Sequence, residues 1–278
     1  IKDINGSNVR VKEVLEQQLI DHKDSIGKIY SITSRLDQQM PEEVMFDAVE
    51  MMTELMHTKD VAIYNVVNDD YARMFSASSE KARSLGNSIR YREMQAVYDE
   101  LKEQKVYINK SLDEKYPLMA NAIFEGGKMQ MIIMIWGLNW EKMTLGQANF
   151  LTVVSYLIQN AVLRARRYMT ALEEKRYLKD THVMEVTAFQ SLVNSYMNAK
   201  KRNLVECTLL KIQNSENRYE EIGKVMTRQL RTSDYLGFMP DKEVYVLLAN
   251  TSPQDAVFVQ NRFDQNGYVT KVVENMAE

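Results

Sequence analysis

The spacing of apolar and polar residues divides the chain into elements before any chemistry is considered. In residues 9–38, Leu15, Leu19, His22, Ile26, Ile29, Thr33 and Leu36 alternate four and three apart among charged and amide residues. This is a heptad seam. It predicts one proline-free stalk helix able to form a coiled coil and hold the protein as a homodimer. Pro41 opens a second helix, where its missing N–H costs nothing. Val44, Met45, Ala48, Met52, Leu55 and Met56 give that helix one apolar face. The runs 61–67 (VAIYNVV) and 71–77 (YARMFSA) predict strands joined by Asn68-Asp69-Asp70. A charged helix is expected over 89–104, a short strand over 106–109, and a hairpin pairing 118–124 with 128–137 about Glu125-Gly126-Gly127. Residues 144–178 read as a long helix, apolar first and charged later, suited to connecting two domains.

Beyond residue 181 the pattern changes to strands alternating with helices. Helices are expected over 183–196, 219–230 and 254–264, and strands over 204–212, 244–248 and 269–273. Thr251-Ser252-Pro253 reads as a helix start, a capping hydroxyl followed by proline in the first turn. The fold class is therefore α+β, with three parts. Residues 1–39 form the stalk, 40–178 a domain with an antiparallel sheet and its connecting helix, and 179–278 a smaller α/β domain.

Composition narrows the chemistry. The 278 residues are 45% hydrophobic and 26% charged, a globular balance. The net charge of −3 supplies no basic field for nucleic acid, so an anionic ligand must be held by a local cluster. The single cysteine, Cys207, lies in an apolar run and reads as core. The three histidines, His22, His57 and His182, are far apart, and no metal site is expected. The longest apolar stretch, 129–138, is about half of what spans a bilayer.

The segment 230–251 reads LRTSDYLGFMPDKEVYVLLANT. Arg231-Thr-Ser-Asp234 is followed by the five residues Tyr235–Met239 and then by Pro240-Asp241-Lys242-Glu243-Val244. In spacing and context this is similar to the GGDEF family of diguanylate cyclases, in which an Arg-x-x-Asp motif precedes the GGDEF hairpin. The match is degenerate. Both turn glycines are replaced by Pro240 and Asp241, the next acid by Lys242, and only Glu243 survives. The strand end that carries the family's metal-binding Asp reads Leu-Leu-Lys211-Ile-Gln213, which offers magnesium no carboxylate. The family's substrate-binding stretch is largely missing. The resemblance therefore implies no cyclase activity, no catalytic residues and no metal.

The Arg-x-x-Asp pair is the family's inhibitory site for cyclic di-GMP. Arginine can fork onto guanine O6 and N7 or onto phosphate, and aspartate can accept from the guanine donor edge. The resemblance assigns Arg231 and Asp234 as ligands, with Arg262 from the following helix as a second arginine. A plain surface salt bridge is the alternative for the pair.

The element order over residues 40–170 resembles a GAF domain. A GAF domain ahead of a degenerate GGDEF domain resembles the cyclic di-GMP receptors of Pel-type exopolysaccharide synthesis. That likeness implies a non-enzymatic receptor at the cytoplasmic face of the bacterial inner membrane, its anchor in a preceding part of a longer protein. It implies activation of polymer synthesis and biofilm formation through membrane proteins of the synthesis complex. It also implies a further arginine near the GAF start, with Arg35 the candidate and Arg10 behind it. Two rivals stand beside it: a GAF-based sensor of another small molecule with the second domain as scaffold, and an enzyme with residual nucleotide chemistry.

Overall fold

The computed structural model describes residues 27, 29–38, 40–138, 145–172, 176–213, 215 and 218–273. Most of the expected stalk, Arg10 included, lies outside them; residues 29–35 are helical, with Ile32 and Leu36 buried. Helix α1 (Pro41–Leu55) begins with proline in its first turn and carries Glu42 and Glu43 there, where acids favour the positive end of the helix dipole. It buries Val44, Met45, Ala48, Val49, Met51 and Met52.

Strands β1 (Asp60–Val66) and β2 (Tyr71–Ala77) pair antiparallel. Asn68 Oδ1 shapes their turn by accepting from the N–H groups of Asp70 (2.9 Å) and Tyr71 (3.1 Å). Residues 88–90 form a short edge strand, β3, and helix α2 is confined to Gln95–Lys102. The single helix expected over 89–104 is corrected here: Tyr71, Ala72 and Arg73 draw Arg90, Ile89 and Ser88 into the sheet. β4 (Tyr107–Ile108), β5 (Met119–Glu125) and β6 (Lys128–Trp136) follow. Gly126 and Gly127 adopt φ of 56° and 78°, the left-handed values a tight hairpin needs. The strand order is β3-β2-β1-β6-β5-β4, antiparallel throughout. One face packs Tyr64, Met134 and Trp136 against Tyr91, Val97 and Leu101. The other packs on α1 and on α3 (Leu145–Ala171).

The second unit has a four-stranded antiparallel sheet in the order β10-β7-β9-β8. Its strands are β7 (Cys207–Ile212), β8 (Tyr235–Phe238), β9 (Val244–Ala249) and β10 (Thr270–Val272). Helix α4 (Val186–Lys201) covers one face, and α5 (Tyr219–Met226) with α6 (Pro253–Asp264) covers the other. Ser252 caps α6, its Oγ accepting from Asp255 N at 3.2 Å. Cys207 is buried, and burial pushes its thiol up to about 11. Among the described residues no helix is long and apolar enough to cross a membrane, and no cluster of acids, histidines or cysteines could hold a metal.

The two sheets share one core. Phe46 of α1 meets Phe75 of β2 (centroids 4.7 Å apart) and stands edge-on to Tyr196 of α4 (5.3 Å, 89°), which in turn contacts Tyr235 of β8 (5.9 Å). Backbone joins the units as well: Ala77 N donates to Leu204 O (3.0 Å), and Asn250 Nδ2 donates to Met74 O (2.8 Å). Arg202 reaches back to Asp47 (3.2 Å) and Glu50 (2.8 Å). Replacing Phe46 by alanine is expected to cost about 3–5 kcal/mol, the scale for truncating a buried aromatic. Because the core is shared, both units should melt together at a lower temperature. Calorimetry showing two separated transitions would contradict the shared core.

Candidate functional site

The Arg-x-x-Asp motif forms the turn into β8. Asp234 N donates to Arg231 O at 3.0 Å, and Arg231 N donates back to Asp234 Oδ2 at 3.0 Å. Asp234 Oδ1 accepts from Ala249 N, at the end of β9, at 3.3 Å. Each carboxylate oxygen thus takes one backbone N–H and keeps one lone-pair position for another donor. The guanidinium of Arg231 is exposed and makes no ion pair among the described residues. The surface salt bridge that would have explained the pair structurally does not form between their side chains among the described residues.

Burial raises the Asp234 carboxyl above the ordinary aspartate range, even though the two backbone donors and the charges of Arg231 and Arg73 pull the other way. Arg73 belongs to β2 of the first unit, so this carboxyl sits within reach of the joint. A groove of about 250 Å³ opens over Arg231 and Asp234, walled by Tyr177, His182, Met184 and Tyr235. Tyr235 partly closes it from the joint side, its hydroxyl donating to Glu42 Oε1 at 3.2 Å. Close packing holds β8 in place: a Cβ on Gly237 would lie 2.4 Å from Phe189 Cγ, so only glycine lets α4 approach this strand.

The other two arginines expected at the site lie elsewhere. Arg262 is on the exposed side of α6, whose buried side is Ala256, Val259 and Phe263. Arg35 pairs with Glu54 of the first unit (2.5 Å). Neither lines the groove. Sequence reasoning did not single out Tyr177, His182 or Tyr235 as lining; only the direct succession Asp234-Tyr235 hinted at one of them.

The degenerate turn between β8 and β9 is closed by its own side chains. Asp241 Oδ2 accepts from Lys211 Nζ (2.7 Å) and from the Tyr245 hydroxyl (2.7 Å), and Asp241 Oδ1 from Glu243 N (3.1 Å). Burial works against the Asp241 charge, but Lys211 and Tyr245 outweigh it and hold the carboxyl below its usual range. Glu243 Oε2 accepts from both the backbone N–H (3.0 Å) and the hydroxyl (2.5 Å) of Ser215. Lys242, where the GGDEF pattern has an acid, takes a left-handed φ of 63°. The ammonium of Lys211 therefore neutralises Asp241.

No family model matches the chain, and no curated protein matches it. Among solved structures it is similar to PelD 158-CT from Pseudomonas aeruginosa PAO1, at 13% identity over 87% of this chain and 90% of that one, with a TM-score of 0.39. PelD 156-455 from Pseudomonas aeruginosa PA14 in complex with c-di-GMP is similar at 10% identity, over 89% and 88% of the two chains, with a TM-score of 0.38. The GAF domain from Acinetobacter phosphoenolpyruvate-protein phosphotransferase matches 52% of this chain and 96% of its own at 9% identity, with a TM-score of 0.40. Likenesses this distant say nothing by themselves about ligand or activity.

Proposed function

We propose that this protein is a PelD-like receptor that binds cyclic di-GMP at Arg231 and Asp234 and makes none. One observation carries the reading. The Arg-x-x-Asp turn presents a free guanidinium beside a carboxylate that is fixed in place but still has acceptor positions. That pair matches the two faces of guanine, the Hoogsteen acceptors and the N1/N2 donors. The internally paired turn at Asp241 and Glu243, with Lys211 of β7 bonded to Asp241, supports the absence of magnesium-dependent cyclisation. A location at the inner membrane and partners in exopolysaccharide synthesis belong to the same proposal and rest on the sequence resemblance; contributions from Arg262 and Arg35, which do not line the groove, rest on that resemblance alone.

One observation favours the rival sensor. The buried Tyr91 hydroxyl has no hydrogen-bond partner among the described residues and lies beside a cleft of about 450 Å³ in the first unit, with Tyr98 stacked on its ring (4.1 Å). The two readings separate in a calorimetric titration with cyclic di-GMP. The receptor reading expects saturable binding by the wild type, weakened about tenfold or more in Arg231→Ala, since one bidentate guanine contact is worth about 1–3 kcal/mol. It also expects no product from GTP and magnesium. Silence from the wild type would leave the sensor as the better account, and cyclic dinucleotide made from GTP would overturn the non-enzymatic reading.

The raised Asp234 carboxyl gives the binding a pH dependence. Guanine N–H groups need the carboxylate, so affinity should fall as pH drops through the Asp234 pKa, approaching about tenfold per pH unit below it. Stability of the free protein runs the other way. A raised folded-state pKa means the contribution is full below the unfolded value and is lost as pH rises through the folded one. Titrations across mildly acidic pH, with Asp234→Asn as control, check this; an affinity independent of pH in the wild type counts against Asp234 as the acceptor.

A further inference from the structure

Across Tyr177 and Tyr235 from the Arg231 groove lies a second recess, of about 360 Å³, between the two units. The same two tyrosines wall both spaces. The second recess is lined by Glu42 from the first turn of α1, Asn65 from β1, Arg166 from α3, and Arg176. Two of its acceptors are buried and have no hydrogen-bond partner among the described residues: Glu42 Oε2 and Asn65 Oδ1. A buried polar atom left without a partner is costly, and native structures seldom keep one without a use for it. Its cations are held loosely. Arg176 makes no ion pair among the described residues and lies over the Tyr177 ring, 5.9 Å from its centroid, and Arg166 makes only a long pair to Glu125, at 3.6 Å.

The recess thus repeats the chemistry of the first groove, a carboxyl with spare acceptor capacity near an arginine without an ion pair among the described residues. Arg73 stands opposite Asn65 in the β1–β2 ladder, and its charge is felt at Asp234. Cyclic di-GMP is chemically twofold, with two guanines joined through two phosphates. A pair of adjoining sites with the same donor and acceptor set fits such a ligand better than it fits a mononucleotide.

We propose that the recess between the units is the second half of the nucleotide site and takes the other guanylate of the same ligand. Glu42 accepts from the guanine N1–H and N2–H₂ edge, with Asn65 Oδ1 as a further acceptor. Arg166 and Arg176 receive phosphate, and Tyr177 and Tyr235 stand between the halves. This rests on the receptor reading and adds to it a specificity for the dinucleotide and a ligand that spans the joint.

The test is cyclic di-GMP titration of the full chain as wild type, Arg231→Ala, Glu42→Gln and Arg176→Ala, with melting temperatures in parallel. Glu42→Gln keeps an acceptor for Tyr235 and removes a buried carboxyl, and Arg176 is only partly buried, so both variants should melt like the wild type. Each is expected to lose about tenfold or more in affinity, and GMP should bind the wild type far more weakly than the dinucleotide. If the wild type binds, Arg231→Ala fails to bind, and both recess variants keep wild-type affinity, the recess is overturned while the receptor reading stands. If the wild type does not bind at all, both fall.

Discussion

The structure depends on one helix that serves two cores at once. α1 lies between its own sheet and α4 of the following unit, and Phe46 is fully buried where Phe75 and Tyr196 converge. Burying aromatic surface is the largest stabilising contribution a few residues can make. Here it is spent on the contact between units as much as on either interior. The polar contacts around it, from Arg202 to Asp47 and Glu50 and from Asn250 to the β2 carbonyls, fix the register of that contact and add little net energy. β8 is placed through the same contact, because Tyr235 packs on Tyr196 and Gly237 on Phe189. The Arg-x-x-Asp turn that leads into β8 inherits its position from this core.

The two ends of the β8–β9 hairpin treat their acids in opposite ways. At the Asp241 end every acid is paired with a nearby lysine, tyrosine, serine or backbone N–H. At the Asp234 end the carboxylate is held by backbone alone, and its neighbouring guanidinium faces solvent. A carboxylate anchored by two N–H groups loses little freedom when a ligand arrives, which is what pre-organisation means for a binding site. Pairing with Lys211 does the reverse and makes Asp241 a structural residue.

A shared core also limits how such a site can signal. Units joined only by a linker could swing on ligand binding, but swinging here would expose Phe46, Phe75 and Tyr196 together. A ligand can shift an equilibrium only by its difference in affinity between two states. For the receptor proposed above, both states must therefore keep the aromatic contact.

Much of this fold was legible in the chain, and the gaps have physical causes. The hairpins at 68–70 and 126–127 announced themselves by turn chemistry, and α1 and α6 by proline at their starts. The edge strand at 88–90 was read as helix because its neighbours are charged and its pairing to β2 is a tertiary event. β8 went unread as a strand because four residues with a glycine among them carry no periodicity. The Arg231–Asp234 turn was legible because the motif is local, three residues apart in one turn. The recess lining was not, since Glu42, Asn65 and Arg176 come from separate stretches that only tertiary packing brings together. A recess formed across a joint between units leaves no spacing in the chain to read.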